Sequence, residues 1–185
     1  VTELATGKQI SRSQIGNNVM CFSNAPLSAS EAFSSPVSPP PFMVGMAEVE
    51  IDKETGVLEL IDYVAVVDCG TVINPNLARV QVEGGIAQGI GMALYEDVVY
   101  NEKGKNFSNS LMQYKIPTRL DVGTIRVEFE SSYEPTGPFG AKSIGEIVIN
   151  TPSPAISNAI QNATGVIIRE LPMTAEKIYR GISGR

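Results

Sequence analysis

Phe42-Met43-Val44-Gly45-Met46-Ala47-Glu48-Val49-Glu50-Ile51, followed by Asp52-Lys53-Glu54-Thr55-Gly56 and Val57-Leu58-Glu59-Leu60-Ile61-Asp62-Tyr63-Val64-Ala65-Val66-Val67, decides the fold. Two runs rich in β-branched and apolar residues flank a short polar loop. Gly56 suits the left-handed position of such a loop, so the stretch predicts an antiparallel hairpin. Upstream, residues 1–41 are rich in Ser, Asn, Ala and Pro and end in Ser35-Pro36-Val37-Ser38-Pro39-Pro40-Pro41. Proline fixes φ and removes a backbone donor, so this part is expected to be a linker or surface arm without a regular helix or inner strand.

Downstream, Asp68-Cys69-Gly70-Thr71-Val72-Ile73-Asn74-Pro75 is turn chemistry, with Asn74 as a helix cap and Pro75 in the first helical position. A helix is expected from Pro75 to Tyr95, its apolar positions being Leu77, Val80, Val82, Ile86, Ile90, Met92 and Leu94. Within it, Gly84, Gly85, Gly89 and Gly91 each cost about 1 kcal/mol relative to alanine. Two explanations stand: close packing against another backbone, or close approach of a large cofactor. Ile125–Glu130 alternates as a half-buried strand does, and Glu134-Pro135-Thr136-Gly137-Pro138 ends it. Residues 144–162 are expected to be mostly helical, regular from Pro154 to Ala163 and stopped by Thr164-Gly165. A short strand at 166–168 and a helix over 174–179 capped by Thr174 complete an α+β reading, mixed strands with packed helices.

The candidate for chemistry is Gly140-Ala141-Lys142-Ser143-Ile144-Gly145-Glu146. It holds a single carboxylate at the end of a glycine-punctuated, basic-flanked turn, with glycines at 137, 140 and 145 available for tight turning around a ligand. The same residues also describe a plain loop with a first-turn Glu favoured by the helix dipole. Lys142 and the backbone amides of this turn are suited to an anionic ligand.

Composition limits the alternatives. A net charge of −6 argues against a nucleic-acid surface or an anionic membrane. No histidine is present, so acid–base work falls to Glu, Asp, Lys or Tyr. Cys21 and Cys69 stand 48 positions apart, which speaks against a zinc or iron–sulfur site, and no metal ligand is expected from this chain. No apolar run approaches the ~20 residues of a membrane span. A cytoplasmic protein with reduced thiols is the expectation.

Six ordered blocks, AEVEIDKETGVLEL, VVDCGTVINP, QVEGGIAQGIGMALYE, YKIPTRLDV, GPFGAKSIGE and ATGVIIRELPMT, resemble the molybdenum-binding large subunit of the xanthine dehydrogenase and aldehyde oxidase family. The resemblance spans about residues 36–181 and implies that 42–185 are the C-terminal half of the molybdopterin-binding domain. It further implies a molybdenum–pterin cofactor and hydroxylation of a purine, another N-heterocycle or an aldehyde, with oxygen from water. Glu146 matches the general base closing the family's GAKGxGE-type motif, and a base in this role needs a site dry enough to bring its pKa towards neutrality. Gln88 matches a glutamine near the molybdenum ligands, with Gly89, Gly145 and Ser143 expected around the cofactor. Ser143 departs from the usual glycine or alanine, and Ile147-Val148 from a frequent Pro-Pro. Asp68 and Asn74-Pro75 are expected to serve caps and turns.

A family subunit is several times longer, so this chain is expected to be part of a longer polypeptide or one piece of a split subunit, inactive alone. Its partners would be the remainder of the molybdenum-binding subunit and the iron–sulfur and flavin (FAD) domains or subunits. The rival reading is a non-catalytic assembly module, from which retention of Glu146 and Gln88 distinguishes the enzyme.

Overall fold

The computed structural model describes residues 1–2, 5–22, 28, 30–32 and 34–184. The chain divides into two compact units, Val1–Ser35 and Pro36–Arg185.

The first unit corrects the expectation of an arm without regular structure over residues 1–41. It contains helix α1, Arg12–Phe22. The Ser11 amide donates to Gln14 Oε1 at 2.9 Å, and the Gln14 amide donates to Ser11 Oγ at 3.1 Å. This reciprocal capping box satisfies two otherwise orphaned donors at the helix start. The proline-rich run from Pro36 belongs to the second unit.

In that unit, β1 (Phe42–Ile51) and β2 (Leu58–Asp68) form the expected antiparallel hairpin, from Phe42 opposite Asp68 to Ile51 opposite Leu58. Asp52 closes the loop by accepting from the Glu54 amide and the Thr55 hydroxyl, and Gly56 takes φ 75°. Strand β3 (Thr124–Phe129) pairs parallel to β2, giving the order β1-β2-β3. Parallel neighbours need a crossover, and helix α2 (Pro75–Leu94) lies within it.

Alternation along β2 turns Tyr63, Ala65 and Val67 into the core, and Leu60 joins them because the ladder shifts register between Glu48 and Val49, leaving Ile61 unpaired. They share it with Val82, Ile86 and Ile90 of α2, Ile156 and Ile160 of α4 (Pro152–Thr164) and Ile178 of α5 (Ala175–Ser183). Tyr63 is fully buried and its hydroxyl donates to Thr151 Oγ1 at 2.8 Å. Tyr63→Phe is therefore expected to lower stability by about 1 kcal/mol, read as a shifted urea midpoint with unchanged slope.

Three local expectations are corrected. The helical stretch after the glycine turn is two pieces, α3 (Ile147–Asn150) and α4, and α4 starts at Pro152 because proline is well suited to the first helical turn. Residues 166–168 form no strand among the described residues; the Ile168 carbonyl instead accepts from Ser157 Oγ at 3.2 Å. Leu77 and Val80, expected on the core face of α2, are each 67% exposed. The terminal helix has its expected Thr174 cap and runs on to Ser183.

Candidate functional site

Helix α2 begins as its sequence prescribes. Asn74 Oδ1 accepts from the Leu77 amide at 3.1 Å, and Pro75 occupies the first turn. Its glycines then divide by direction. A Cβ on Gly85 would lie 2.8 Å from Val148 Cβ and closer still to its Cγ2, and one on Gly89 would lie 2.6 Å from Pro152 Cγ and 3.0 Å from the Ile149 carbonyl oxygen. These two glycines therefore serve as notches that seat α3 and the start of α4. Gly89, expected beside the cofactor, is buried in that contact. A Cβ on Gly84, by contrast, would meet nothing within 4 Å. Gln81, Gly84 and Gln88, at i, i+3 and i+7, share the open face of the helix.

The turn carrying the candidate carboxylate lies along the end of β2. The Thr71 amide donates to the Gly140 carbonyl at 2.8 Å, and the Lys142 amide to the Cys69 carbonyl at 2.7 Å. Gly140 has φ 82°, whereas Gly137 has φ −92° and Gly145 is not among the positive-φ glycines. Of the three glycines expected to permit left-handed backbone, only Gly140 uses it.

Lys142 is not available to an anionic ligand, a correction to the open reading of this turn. Its ammonium sits 2.6 Å from Asp68 Oδ2 with the side chain only 7% exposed, and 5.2 Å from the centroid of the Phe42 ring. Asp68 also accepts from Ser132 Oγ at 2.5 Å and from the Gly70 amide at 3.0 Å. The Lys142 hydrogen bond first, then those from Ser132 and Gly70, lowers its pKa to about 2. Asp68 is thus the turn-holding residue its sequence context suggested.

Because the folded-state value is depressed, the stability from ionised Asp68 is fully present above the ordinary value of about 3.9. It is lost progressively as pH falls from there through about 2. The stability difference between wild type and Asp68→Asn should accordingly be constant from about pH 5 to 8 and shrink below about pH 4. Urea titrations across that range measure it, and a difference persisting undiminished to the acid limit would contradict the assigned pairing.

A cavity of about 430 Å³ lies between α2 and the beginning of α3, and its lining includes Gln81, Gly84, Gln88, Gly145 and Glu146. The structure thus brings Gln88, Gly145 and Glu146 together across 58 positions of sequence. Ser143 and Gly89 are outside the lining. Gln81 was not singled out by the sequence reading, and Gly84 stood there only among the four helix glycines that call for a packing partner or a cofactor; their helical spacing with Gln88 was the available signal.

Glu146 and Gln88 are exposed, and neither side chain has a hydrogen-bond partner among the described residues. A Cβ on Gly145, like one on Gly84, would meet nothing within 4 Å, so the backbone is open to a bulky ligand at two points. The polar groups are an amide, which donates and accepts without charge, and a carboxylate. Such a set fits a group that brings its own hydrogen-bonding oxygens and sulfurs, as a pterin-held metal does, rather than a bare ion.

Comparison with known proteins agrees with this chemistry. Residues 2–123 match the molybdopterin cofactor-binding domain family; the match includes α1 and Gln88 and ends before Glu146. The probable hypoxanthine oxidase XdhD of Escherichia coli (strain K12) is 37% identical over 146 residues, covering 77% of this chain and 15% of that protein. The putative xanthine dehydrogenase molybdenum-binding subunit XdhA of the same organism is 35% identical over 154 residues, covering 83% and 20%.

Among solved structures, quinoline 2-oxidoreductase from Pseudomonas putida 86 superposes with a TM-score of 0.71 at 40% identity, covering 75% of this chain and 18% of that one. Aldehyde oxidoreductase from Desulfovibrio gigas gives 0.72 at 34%, covering 77% and 15%. The chain spans a fifth or less of the length of these relatives. In sequence and in α+β fold, it belongs to the molybdopterin cofactor-binding domain family, in the branch of the xanthine dehydrogenase and aldehyde oxidoreductase molybdenum-binding subunits.

Proposed function

We propose that this chain forms one wall of the active site of a molybdenum hydroxylase, with residues 42–185 as the C-terminal part of the cofactor-binding region. The observation that carries this reading is the meeting of two unpartnered side chains, Gln88 and Glu146, over one cavity flanked by Gly84 and Gly145. The cofactor, when bound, supplies the two-electron redox capacity for hydroxylation with water as oxygen source. Glu146 takes the proton from the oxygen destined for substrate. Gln88 orients the cofactor's polar edge through its neutral amide, which does not compete for that proton. Gly145 admits the ligand to the backbone. Gly89 and Ser143 act indirectly, by seating α4 and by spacing the turn ahead of Glu146.

The substrate class is an N-heterocycle, purines among them, or an aldehyde. Support comes from the relatives, which are described as a hypoxanthine oxidase, a quinoline oxidoreductase, a nicotine 6-hydroxylase large subunit and aldehyde oxidoreductases. Some are subunits by name, which supports assembly with other chains; in this reading the partners are the rest of the molybdenum-binding subunit and the carriers of iron–sulfur clusters and FAD. Because Glu146 lies exposed on this wall, the chain alone is inactive. No helix of the described residues is long and apolar enough to cross a membrane; the place of action in this reading is the cytoplasm.

Gln88→Ala in the complete subunit tests the assignment. Loss of a residue orienting the metal's ligands typically costs about 10–100-fold in metal affinity or activity, so molybdenum content per subunit or kcat should fall by at least the lower figure. If neither moves, this wall does not line the site and the non-catalytic assembly reading takes its place.

A further inference from the structure

We propose that the Asp68–Lys142 ion pair is the positioning device for Glu146: it fixes the turn against the end of β2 and so sets where the carboxylate stands over the cavity. The inference rests on the reading of Glu146 as the general base. It adds two residues that touch neither cavity nor substrate.

The carboxylate of Glu146 makes no hydrogen bond of its own to the described residues, so its place is set by the backbone on either side. On the C-terminal side the anchor is Val148, buried in the notch at Gly85. On the N-terminal side Gly145 has open space around it and Ser143 is exposed. Ile144 packs part-buried against the core by apolar contact alone, and the first side chain in that direction held by directional hydrogen bonding is Lys142.

Lys142 is held three ways: its ammonium on Asp68, the Phe42 ring over that ammonium, and its amide on the Cys69 carbonyl. Asp68 is in turn fixed by Ser132 and Gly70, and as the last residue of β2 it sits opposite Phe42 in the ladder. The clamp is therefore built on the end of the β1–β2 ladder. A largely buried ion pair adds little stability over a well-packed apolar pair of similar volume, because desolvation offsets attraction. Its two charged hydrogen-bonding partners do impose one geometry, which a base that must meet a proton at hydrogen-bond distance requires.

The test compares Lys142→Met, Lys142→Arg and Asp68→Asn in the complete, cofactor-loaded subunit by steady-state kinetics, molybdenum content and amide hydrogen exchange. Lys142→Met should speed exchange of the amides at 141–145 by about tenfold or more through local opening. It should lower kcat by roughly 10–100-fold through misplacement of the base. KM should stay within about twofold and molybdenum content be unchanged, since no binding contact is lost. Lys142→Arg keeps the charge on Asp68, although its larger guanidinium must fit a side-chain site only 7% exposed, and should leave kcat well above that of Lys142→Met. In a Glu146→Gln background, Lys142→Met should cost no further rate, because residues acting through one group are not additive.

Unchanged exchange at 141–145, or an arginine variant as impaired as the methionine one, would overturn the proposal. Should Lys142→Met fail to fold, Asp68→Asn is the second variant: its amide oxygen can still accept from Ser132 and Gly70, while its amide nitrogen replaces the oxygen that faced Lys142, so the ion pair and its hydrogen bond are lost together. Looser exchange in Lys142→Met, together with wild-type turnover in Glu146→Gln, would keep the clamp on the turn and remove Glu146 as the base. The two failures are thereby told apart.

Discussion

Glu146→Gln in the complete subunit should lower turnover by about 100-fold or more, the usual loss when a general base is removed. Molybdenum content and fold should be unchanged. The amide keeps the size and shape of the side chain, and no hydrogen bond of the native carboxylate to the described residues is sacrificed, since it makes none. Any defect thus reports basicity and not architecture. Because the proton is taken after substrate is bound, the loss belongs in kcat, with KM little altered. Residual activity within about tenfold of wild type would fall short of what general-base catalysis contributes and would end the assignment.

The adjacent glycines of α2 should respond in opposite ways to the same added methyl group. Gly85→Ala gains about 1 kcal/mol of helix propensity but drives a methyl group into the buried Val148. Overpacking of this kind costs about 1–3 kcal/mol. Val148 is stiff at χ1, so relief requires movement of α3, and Glu146 immediately precedes that helix. The expected result is lower stability together with at least a tenfold loss of kcat, since displacements near 1 Å can cost about 100-fold.

A Cβ at Gly84 meets nothing within 4 Å among the described residues beyond its own turn of helix, so Gly84→Ala should gain up to about 1 kcal/mol in the cofactor-free subunit. Its methyl group would stand in the cavity, so molybdenum content should fall even as stability rises. Thermal unfolding and metal analysis on the two variants check both signs. A destabilised Gly84→Ala, or a Gly85→Ala indistinguishable from wild type, would contradict the two orientations assigned to the helix.

Local chemistry accounts for the parts that were legible in the sequence. The hairpin follows from alternation and Gly56, the start of α2 from Asn74-Pro75, and the start of α5 from Thr174, each depending on neighbours within a few positions. The capping box at Ser11 and Gln14 was equally local and was hidden by a composition that argued against helix. The parallel pairing of β3 with β2 was not legible, because alternation in Ile125–Glu130 shows a strand and not its neighbour. For the site, resemblance pointed to Gln88 and Glu146, and the cavity gives that pairing a geometry. It did not show that Gly85 and Gly89 face Val148 and Pro152, or that Lys142 is engaged by an aspartate 74 positions earlier. Those depend on which elements pack together, which periodicity does not encode.

The parallel strand has a further consequence, for the order in which the chain acquires its structure. The β1–β2 hairpin closes a loop of a few residues, whereas pairing Asp62 with Thr124 closes one of about sixty, and contacts distant in sequence form more slowly because chain entropy is lost first. The contacts that assemble the cavity, Asp68 with Ser132 and Lys142 and Gly85 with Val148, span comparable distances. The hairpin should therefore act as the nucleus, with β3 and the Glu146 turn docking later. Substitutions in the hairpin should slow folding, while those in the turn should chiefly hasten unfolding.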